Sequence, residues 1–277
     1  MTGTTQPLEI RSVAAVHPAA IKRCLAEIGQ LDPLIVPPRS GSMVGHFRAA
    51  CLGSEVVGVG WLYRRQGRAE LDVRVLPTHR KQGIGDKLYA YLTRACTVDI
   101  YAGCATEQTN AQKFLKKRGF ELNGVLFAQR WDGTLGDVPA AFSSATMHEC
   151  KDRDAMIEIL QRAYGESWFT PAVGPADFDR PDVETKVAVQ DGEHVGCLVL
   201  RRTEETIWVS AIGTLPERQN LGIGRAMLTY AMRQGAKTGH GVVLLSAADD
   251  EATLRWSRGL GFWTYRSWNQ YVRRVPS

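Results

Sequence analysis

The chain has 277 residues, of which 44% are hydrophobic and 23% charged, with a formal net charge of +5. That length suits two cores of about 100–150 residues better than one, and the composition is globular rather than disordered. No run of about 18 apolar residues marks a membrane span, the start "MTGTTQPLEIRS" lacks the basic-then-apolar pattern of a secretory signal, and no dense basic run with aromatics points to nucleic acid.

The first expected elements are a short strand, "LEIRSV", and a helix, "HPAAIKRCLAEIGQ", with apolar residues at helical spacing. A variable, proline-broken segment, 31–45, follows, and then two or three β-runs joined by a turn at Gly53-Ser54. The third run, "AELDVRVL", ends at the proline of a glycine loop, "PTHRKQGIG" (Pro77–Gly85). Beyond it Ile84, Leu88 and Leu92 lie at i, i+4 and i+8 on one helix face. Another β-run, "VDIYAG", a helix, Gly119-Phe120 and a strand, "VLFAQRW", complete the set. The stretch "WDGTLGDVPAAFSS" (131–144) is rich in small residues, Gly and Pro.

After it the same order returns. There is a strand, "ATMHEC", a helix, "RDAMIEILQRAYG", a variable segment, 165–182, and β-runs turning at Asp191-Gly192. "TIWVSAIGTL" runs into a second loop, "PERQNLGIG" (Pro216–Gly224), and Ile223, Met227 and Ala231 repeat the helix register. "GVVLLSA", a helix, Gly261-Phe262 and "SWNQYVRR" close the series. Glu55 and Glu193 are 138 positions apart, the loop prolines 139, and the Gly-Phe pairs 142. Landmarks in one order at one spacing mean two copies of one domain. The expected division is 1–136 and 144–277 with a linker at 137–143. Each copy is α+β, a mostly antiparallel twisted sheet flanked by helices.

The six cysteines (Cys24, Cys51, Cys96, Cys104, Cys150, Cys197) are scattered without C-x-x-C and read as reduced core residues of a cytoplasmic protein. The six histidines form no H-E-x-x-H and no cluster with cysteine, so no metal is expected. Residues 1–140 carry 18 Lys and Arg against 12 Asp and Glu, whereas 141–277 carry 16 against 17. The basic half either favours a polyanionic ligand or is a solvated surface.

A strand that feeds a glycine loop and then a helix makes an anion site, because the first helical amides have no intrahelical partner and the dipole favours negative charge there. A glycine turn for tight packing is the plain alternative. A P-loop needs G-x-x-x-x-G-K-[ST], which "GIGDKL" and "GIGRAM" do not supply. A dinucleotide fingerprint needs a third Gly or Ala where Leu88 and Met227 stand. The loops, with a proline and strand before, a helix after and Gly-Phe downstream, resemble those of the GNAT superfamily of acyl-CoA-dependent N-acetyltransferases, over essentially the whole chain as a tandem pair. The resemblance implies acetyl-CoA as cosubstrate. Its pyrophosphate would be held by the amides of Arg80, Lys81, Gln82, Gly83, Ile84 and Gly85, or of Gln219, Asn220, Leu221, Gly222, Ile223 and Gly224. Its pantetheine would lie along the preceding strand, at Val73 and Val75 or at Ile212 and Thr214.

The reaction requires a neutral, oriented amine and a donor for the charge that develops on the acyl oxygen. Many members of the family carry a tyrosine acid four residues before the final Gly-Phe. Here those positions are Leu115 and Ser257. A frequent asparagine is replaced by Gln108 and Asp250, with Asn110 close by. A common base position is Leu71 in one copy and Ser210 in the other. Glu70 and Asp72 flank Leu71 and point to the opposite face by strict alternation, unless a bulge moves one across. The candidate catalytic residues are therefore Asp72, Glu70 and Ser210, against the plain reading of solvated acids and a small sheet filler. In the second copy Trp208, Ser210 and Thr214 share one strand parity, and Trp168, Phe169 and Phe178 are candidates to line an acceptor pocket. The implied function is acetyl transfer to the amine of a small molecule, with one working copy and one scaffold copy. A non-catalytic acyl-CoA-binding protein and a protein-directed acetyltransferase are the alternatives. Which copy works stays open, and the assembly is a monomer or a homodimer, with no membrane or nucleic-acid partner.

Overall fold

The computed structural model describes residues 6–28, 45–65, 68–140, 143–150, 152–165 and 178–275. Most of the variable segments 31–45 and 165–182, including Trp168 and Phe169, lies outside these residues. The chain forms two compact units, Met1–Asn123 with Gln270–Ser277, and Gly124–Asn269.

The first unit contains β1 (Leu8–Ser12), α1 (Pro18–Ile28), β2 (Gly45–Leu52), β3 (Glu55–Arg65), β4 (Arg68–Val75), α2 (Ile84–Thr93), β5 (Ile100–Ala105) and α3 (Thr109–Lys116). Strands β1 to β4 pair in sequence order, all antiparallel, and β5 joins β4 in parallel. Ile84, Leu88 and Leu92 are all buried, as their spacing predicts. Each such side chain removed from water stabilises the unit by about 1.5–3 kcal/mol.

The second unit repeats the plan. It contains most of β6 (Glu121–Trp131), then β7 (Thr146–Glu149), α4 (Arg153–Tyr164), β8 (Val183–Gln190), β9 (Glu193–Arg202), β10 (Thr206–Thr214), α5 (Ile223–Thr238), β11 (Gly241–Ala247), α6 (Glu251–Gly259) and the start of β12 (Trp263–Arg273). Strands β7 to β10 pair antiparallel in order, and β10 and β11 are parallel. Ile223, Met227 and Ala231 are at most 1% exposed and join Ile207, Val209 and Leu244 in one core.

The compact units are not the two contiguous sequence repeats. β6 belongs by sequence to the first repeat, yet it pairs antiparallel with β11 of the second unit, from Val242↔Trp131 to Ala247↔Leu126. Reciprocally, Tyr271 near the end of β12 is buried among Leu62, Leu71, Ile100, Leu115 and Phe120 of the first unit. Nearby, the Val275 amide donates to the Asp99 carboxylate at 2.9 Å. The chain thus passes between units inside β6 and inside β12, whereas the repeat pattern places the boundary at 137–143. The two final strands follow the equivalent Gly-Phe landmarks and so hold the same place in the two repeats.

The six cysteines are free, and all but Cys96 are buried. Burial pushes the Cys24 and Cys104 thiols up to about 11 and that of Cys197 to about 12, as inert core thiols require. Among the described residues no helix is long and apolar enough to cross a membrane, and no three His, Cys, Asp or Glu side chains gather as a metal set.

Candidate active site

Each unit ends its third strand at a splayed, parallel pair. β4 and β5 are paired only from Ala69↔Ile100 to Leu71↔Ala102, and β10 and β11 only from Thr206↔Gly241 to Val209↔Leu244. Beyond those points one edge of β4 and of β10 has no strand partner on that side. Hydrogen bonds fix which residues face the opening. The Leu76 amide donates to Val57 O at 2.9 Å and the Leu215 amide to Val195 O at 3.0 Å. Backbone groups of an antiparallel strand alternate in direction. Asp72 and Arg74, like Ala211 and Gly213, therefore address the neighbouring antiparallel strand, while Val73, Val75, Ile212 and Thr214 turn their N–H and C=O into the opening. These are the four strand residues expected from sequence to lie beside pantetheine.

The loops that follow have one conformation in both copies. Lys81 and Asn220 are left-handed at φ 63° and 62°, and Gly83 and Gly222 follow at 76° and 80°. A single left-handed turn immediately before a helix points successive amides into one concavity, an anion-binding nest. The first backbone bonds inside the helices come from the Lys87 and Ala226 amides, which donate to Gly83 O at 3.1 Å and Gly222 O at 2.9 Å. Ile84, Gly85 and Asp86, and likewise Ile223, Gly224 and Arg225, hold the helical amides that have no partner within their own helix. The first residue of each motif ties the loop back to its strand, with Arg80 Nε on Val75 O at 3.1 Å and Gln219 Nε2 on Thr214 O at 3.3 Å. A Cβ built on Gly83 meets nothing within 4 Å, so the first loop has open space on that side.

The copies differ around these shared parts. In the first, Asp86 stands in the first turn of α2 and is paired to Arg118, whose guanidinium lies 3.3 Å above the Phe114 ring centroid. In the second, Arg225 and Leu260 occupy the corresponding positions, 139 and 142 residues on. The second difference is in the strand. β3 and β4 pair without a shift from Arg65↔Arg68 to Gly58↔Val75, whereas β10 slips against β9 between Val209 and Ala211. Ser210 is the extra residue, partnered in neither ladder and placed where β10 and β11 part.

The bulge alters the expected parity. Trp208 pairs Arg201 and Ala211 pairs Val199, so Trp208 and Ala211 share the face packed by α4. Thr214 lies on the α5 side, with Oγ1 3.8 Å from where a Cβ on Gly224 would be. In the first copy, without a bulge, Glu70 and Asp72 keep one face. Asp72 is bound by Arg74, with Nε 3.1 Å from each carboxylate oxygen and Nη2 3.0 Å from Oδ2. Burial still holds the Asp72 carboxyl above the usual range, against the pull of Arg74. Glu70 accepts from the Tyr63 hydroxyl and lies 3.6 Å from Arg68. Both carboxylates thus have partners on their own sheet face.

The two positions where the resemblance looks for a tyrosine are core. Leu115 joins the Tyr271 cluster, and Ser257 is fully buried, 2.9 Å from Gln129 Oε1 and 3.1 Å from Leu254 O. Asp250 caps α6 by accepting from the Thr253 amide at 3.0 Å. Sequence reading missed a hydroxyl that does reach the opening. Tyr164, the last residue of α4, donates to Ile212 O at 2.9 Å. Burial raises its pKa well above the ordinary tyrosine value, with the nearby Cys197 and Asp250 adding to the rise and the bond to Ile212 opposing it.

A splayed strand pair running into a positive-φ loop and a helix N-terminus, built twice, is the frame of a coenzyme-A-dependent acyltransferase. The chain belongs to the acetyltransferase (GNAT) family, whose model matches residues 22–120 and 153–262, and it is an acetyltransferase with two GNAT repeats. It is similar to the mycothiol acetyltransferase of Amycolatopsis mediterranei (strain U-32), with 25% identity over 91% of this chain and 94% of that protein. The mycothiol acetyltransferase of Kocuria rhizophila is also 25% identical, over 83% and 85%. Among solved structures, a tandem GNAT protein from the clavulanic acid biosynthesis pathway superposes with a TM-score of 0.73 at 16% identity, covering 98% of this chain and 99% of that one. A GCN5-related N-acetyltransferase from Sphaerobacter thermophilus gives 0.71 at 16%, covering 99% and 98%. At those identities the structures speak for the fold alone.

Proposed function

We propose that the protein moves an acetyl group from acetyl-CoA to the amine of a small molecule, and that the second unit does the work. The observation that carries this reading is the bulge at Ser210. It takes Ser210 out of both strand ladders at the apex of the opening, where its backbone N–H would be a donor for developing negative charge that needs no rearrangement during reaction. The first unit has the loop and the opening but no bulge, and it carries the Asp86–Arg118 pair at the first turn of α2. It serves as scaffold or as a second ligand site.

The balance is simple. The amine nitrogen forms a bond to the acyl carbon, the carbon–sulfur bond breaks with its electron pair going to sulfur, and the surplus proton on nitrogen ends on the thiol. This chain supplies the phosphate cradle of Gln219–Gly224, the strand edge of Ile212 and Thr214, the Ser210 amide, and a place for a water held by the Ser210 hydroxyl beside the incoming amine. The names of the curated relatives favour a small acceptor of the mycothiol type over a lysine or a protein N-terminus.

The test is acetyl-CoA-dependent thiol release against a library of small amines and peptides, with Gly83→Val and Gly222→Val made separately and together. A bulky, β-branched residue at φ near +80° is strained as well as obstructive. Loss of transfer with Gly222→Val, and retention with Gly83→Val, is expected. The opposite pattern assigns the work to the first unit, and transfer to peptides alone overturns the small-molecule acceptor.

A further inference from the structure

The family's usual tyrosine is missing at both Leu115 and Ser257, yet the second unit brings a different tyrosine to the same opening from the other side. We infer that Tyr164, reaching in from the end of α4, is a catalytic residue of the second unit, where its hydroxyl donates a hydrogen bond to the departing sulfur. This rests on the second unit being the working one.

Three observations place it. First, Ile212 O points into the opening, because the Leu215–Val195 bond assigns the odd-numbered residues 211, 213 and 215 to β9. A hydroxyl 2.9 Å from that oxygen is therefore in the opening too. Second, the position along the strand is right. The bulge at Ser210 marks the acyl end and the loop marks the phosphate end. Ile212 lies two residues from the apex, about 6–7 Å along a strand, on the path a thioester tail takes from cradle to apex. Third, α4 packs Met156, Ile159 and Leu160 against the face of the sheet that carries Ala211, so its last residue, Tyr164, reaches the edge of β10 from that face. Ser257, at the family's usual tyrosine position, is committed to Gln129 and Leu254.

The chemistry follows from how strongly Tyr164 holds its proton. A phenol made less acidic by burial stays protonated at every working pH, so it acts as a fixed donor and not as a source of free protons. As the carbon–sulfur bond breaks, the hydroxyl exchanges the Ile212 carbonyl for the sulfur that carries the released electron pair. The sulfur takes its final proton from the attacking nitrogen through water, and Tyr164 ends the cycle unchanged. One such donor is worth about 10²–10³ in rate.

The decisive variant is Tyr164→Phe, which keeps the ring packed beside Cys197 and Phe178 and removes one oxygen. Two readouts are taken on the full chain: kcat and KM for the amine, and calorimetric affinities for CoA and acetyl-CoA. The expected result is a fall in kcat of about 100-fold or more with amine KM within twofold, and CoA binding weakened severalfold while acetyl-CoA binding holds. Melting within a few degrees of the parent shows that the fold is intact, and Tyr164→Leu, which removes ring and hydroxyl together, should fall no further in kcat than Phe does. A kcat for Tyr164→Phe within threefold of the parent, or equal losses of CoA and acetyl-CoA affinity, overturns the inference. Failure of the underlying reading looks different: Gly222→Val then keeps transferring acetyl groups whatever stands at position 164.

Discussion

Gly224 offers a sharp test of what the second loop is for, because the space around it is known. A Cβ there would lie 3.7 Å from Trp256 Cζ2 and 3.8 Å from Thr214 Oγ1. Those are ordinary contacts, so Gly224→Ala costs nothing in packing. It also gains helix propensity at the second position of α5, up to about 0.5–1 kcal/mol, and the ligand-free second unit should melt at the parent temperature or about 2–4 °C above it. The same methyl stands between Thr214 and Trp256 beside the backbone that opens α5, where an anion held by those amides would meet it. Loss of one hydrogen bond to a charged group costs about 1.5–3 kcal/mol, on the order of tenfold to a hundredfold in affinity. Gly85→Ala is the internal contrast. Its Cβ meets Phe114 Cε2 at 3.0 Å, so the ring must yield by a few tenths of an ångström and the propensity gain is spent on that shift. Melting curves without ligand and calorimetry with acetyl-CoA decide the matter. If Gly224→Ala lowers the ligand-free melting temperature, the glycine is there for packing. If affinity is unchanged, the amides at the start of α5 do not hold the cosubstrate.

Tyr271→Ala should destabilise the first unit by about 3–5 kcal/mol, because its side chain is 1% exposed in that core; a urea transition of the first unit shifted by less than about 1 kcal/mol would show that β12 does not complete it. Glu184 is held below the usual carboxylate range, since its bonds from Tyr230 at 2.6 Å and Arg202 at 2.7 Å outweigh its burial. Its folded pKa lies under the ordinary 4.5, so the stability it contributes is complete above that value and is lost as pH falls through the folded one. Glu184→Gln should be less stable than the parent at neutral pH and show a shallower acid melt below pH 4.5, and parallel acid melts for the two proteins would remove the assignment. Asp72→Asn and Glu70→Gln should turn over amines at the parent rate with an unchanged pH profile, whereas Ser210→Ala should lower the alkaline limb; a loss confined to the first two variants returns the base to the first unit.

The parts of the fold that were legible in sequence are those that short-range pattern encodes. Ile84, Leu88 and Leu92 are buried where their spacing puts them, as are Ile223, Met227 and Ala231, and Gly83 and Gly222 sit where only a left-handed residue fits comfortably. Parity arguments along β10 failed at Ser210, because one inserted residue reverses every side chain after it and no local residue type announces the slip. The exchange of β6 and β12 was equally hidden. "VLFAQRW" and "SWNQYVRR" hold the same place in the two repeats, and the choice of sheet is made by tertiary packing around Trp131 and Tyr271. Tyr164 escaped notice for a third reason. It meets Ile212 from 48 residues away, at the end of a helix whose spacing reports only which face is buried.

The exchanged strands also bear on how the chain is made. Residues 1–123 leave the ribosome carrying Leu62, Leu71, Ile100 and Phe120, yet Tyr271, which closes that cluster, follows about 150 residues later. At roughly 5–20 residues per second that is a wait of about 8–30 s. For that interval the earlier-made unit has an apolar seam and an unfilled sheet edge, and the later-made unit waits as well, for α6, for Leu260 and Phe262 of its own core and for the start of β12. The unit made first is therefore completed no earlier than the unit made second. A nascent chain paused after β11 should expose both units to chaperones and proteases.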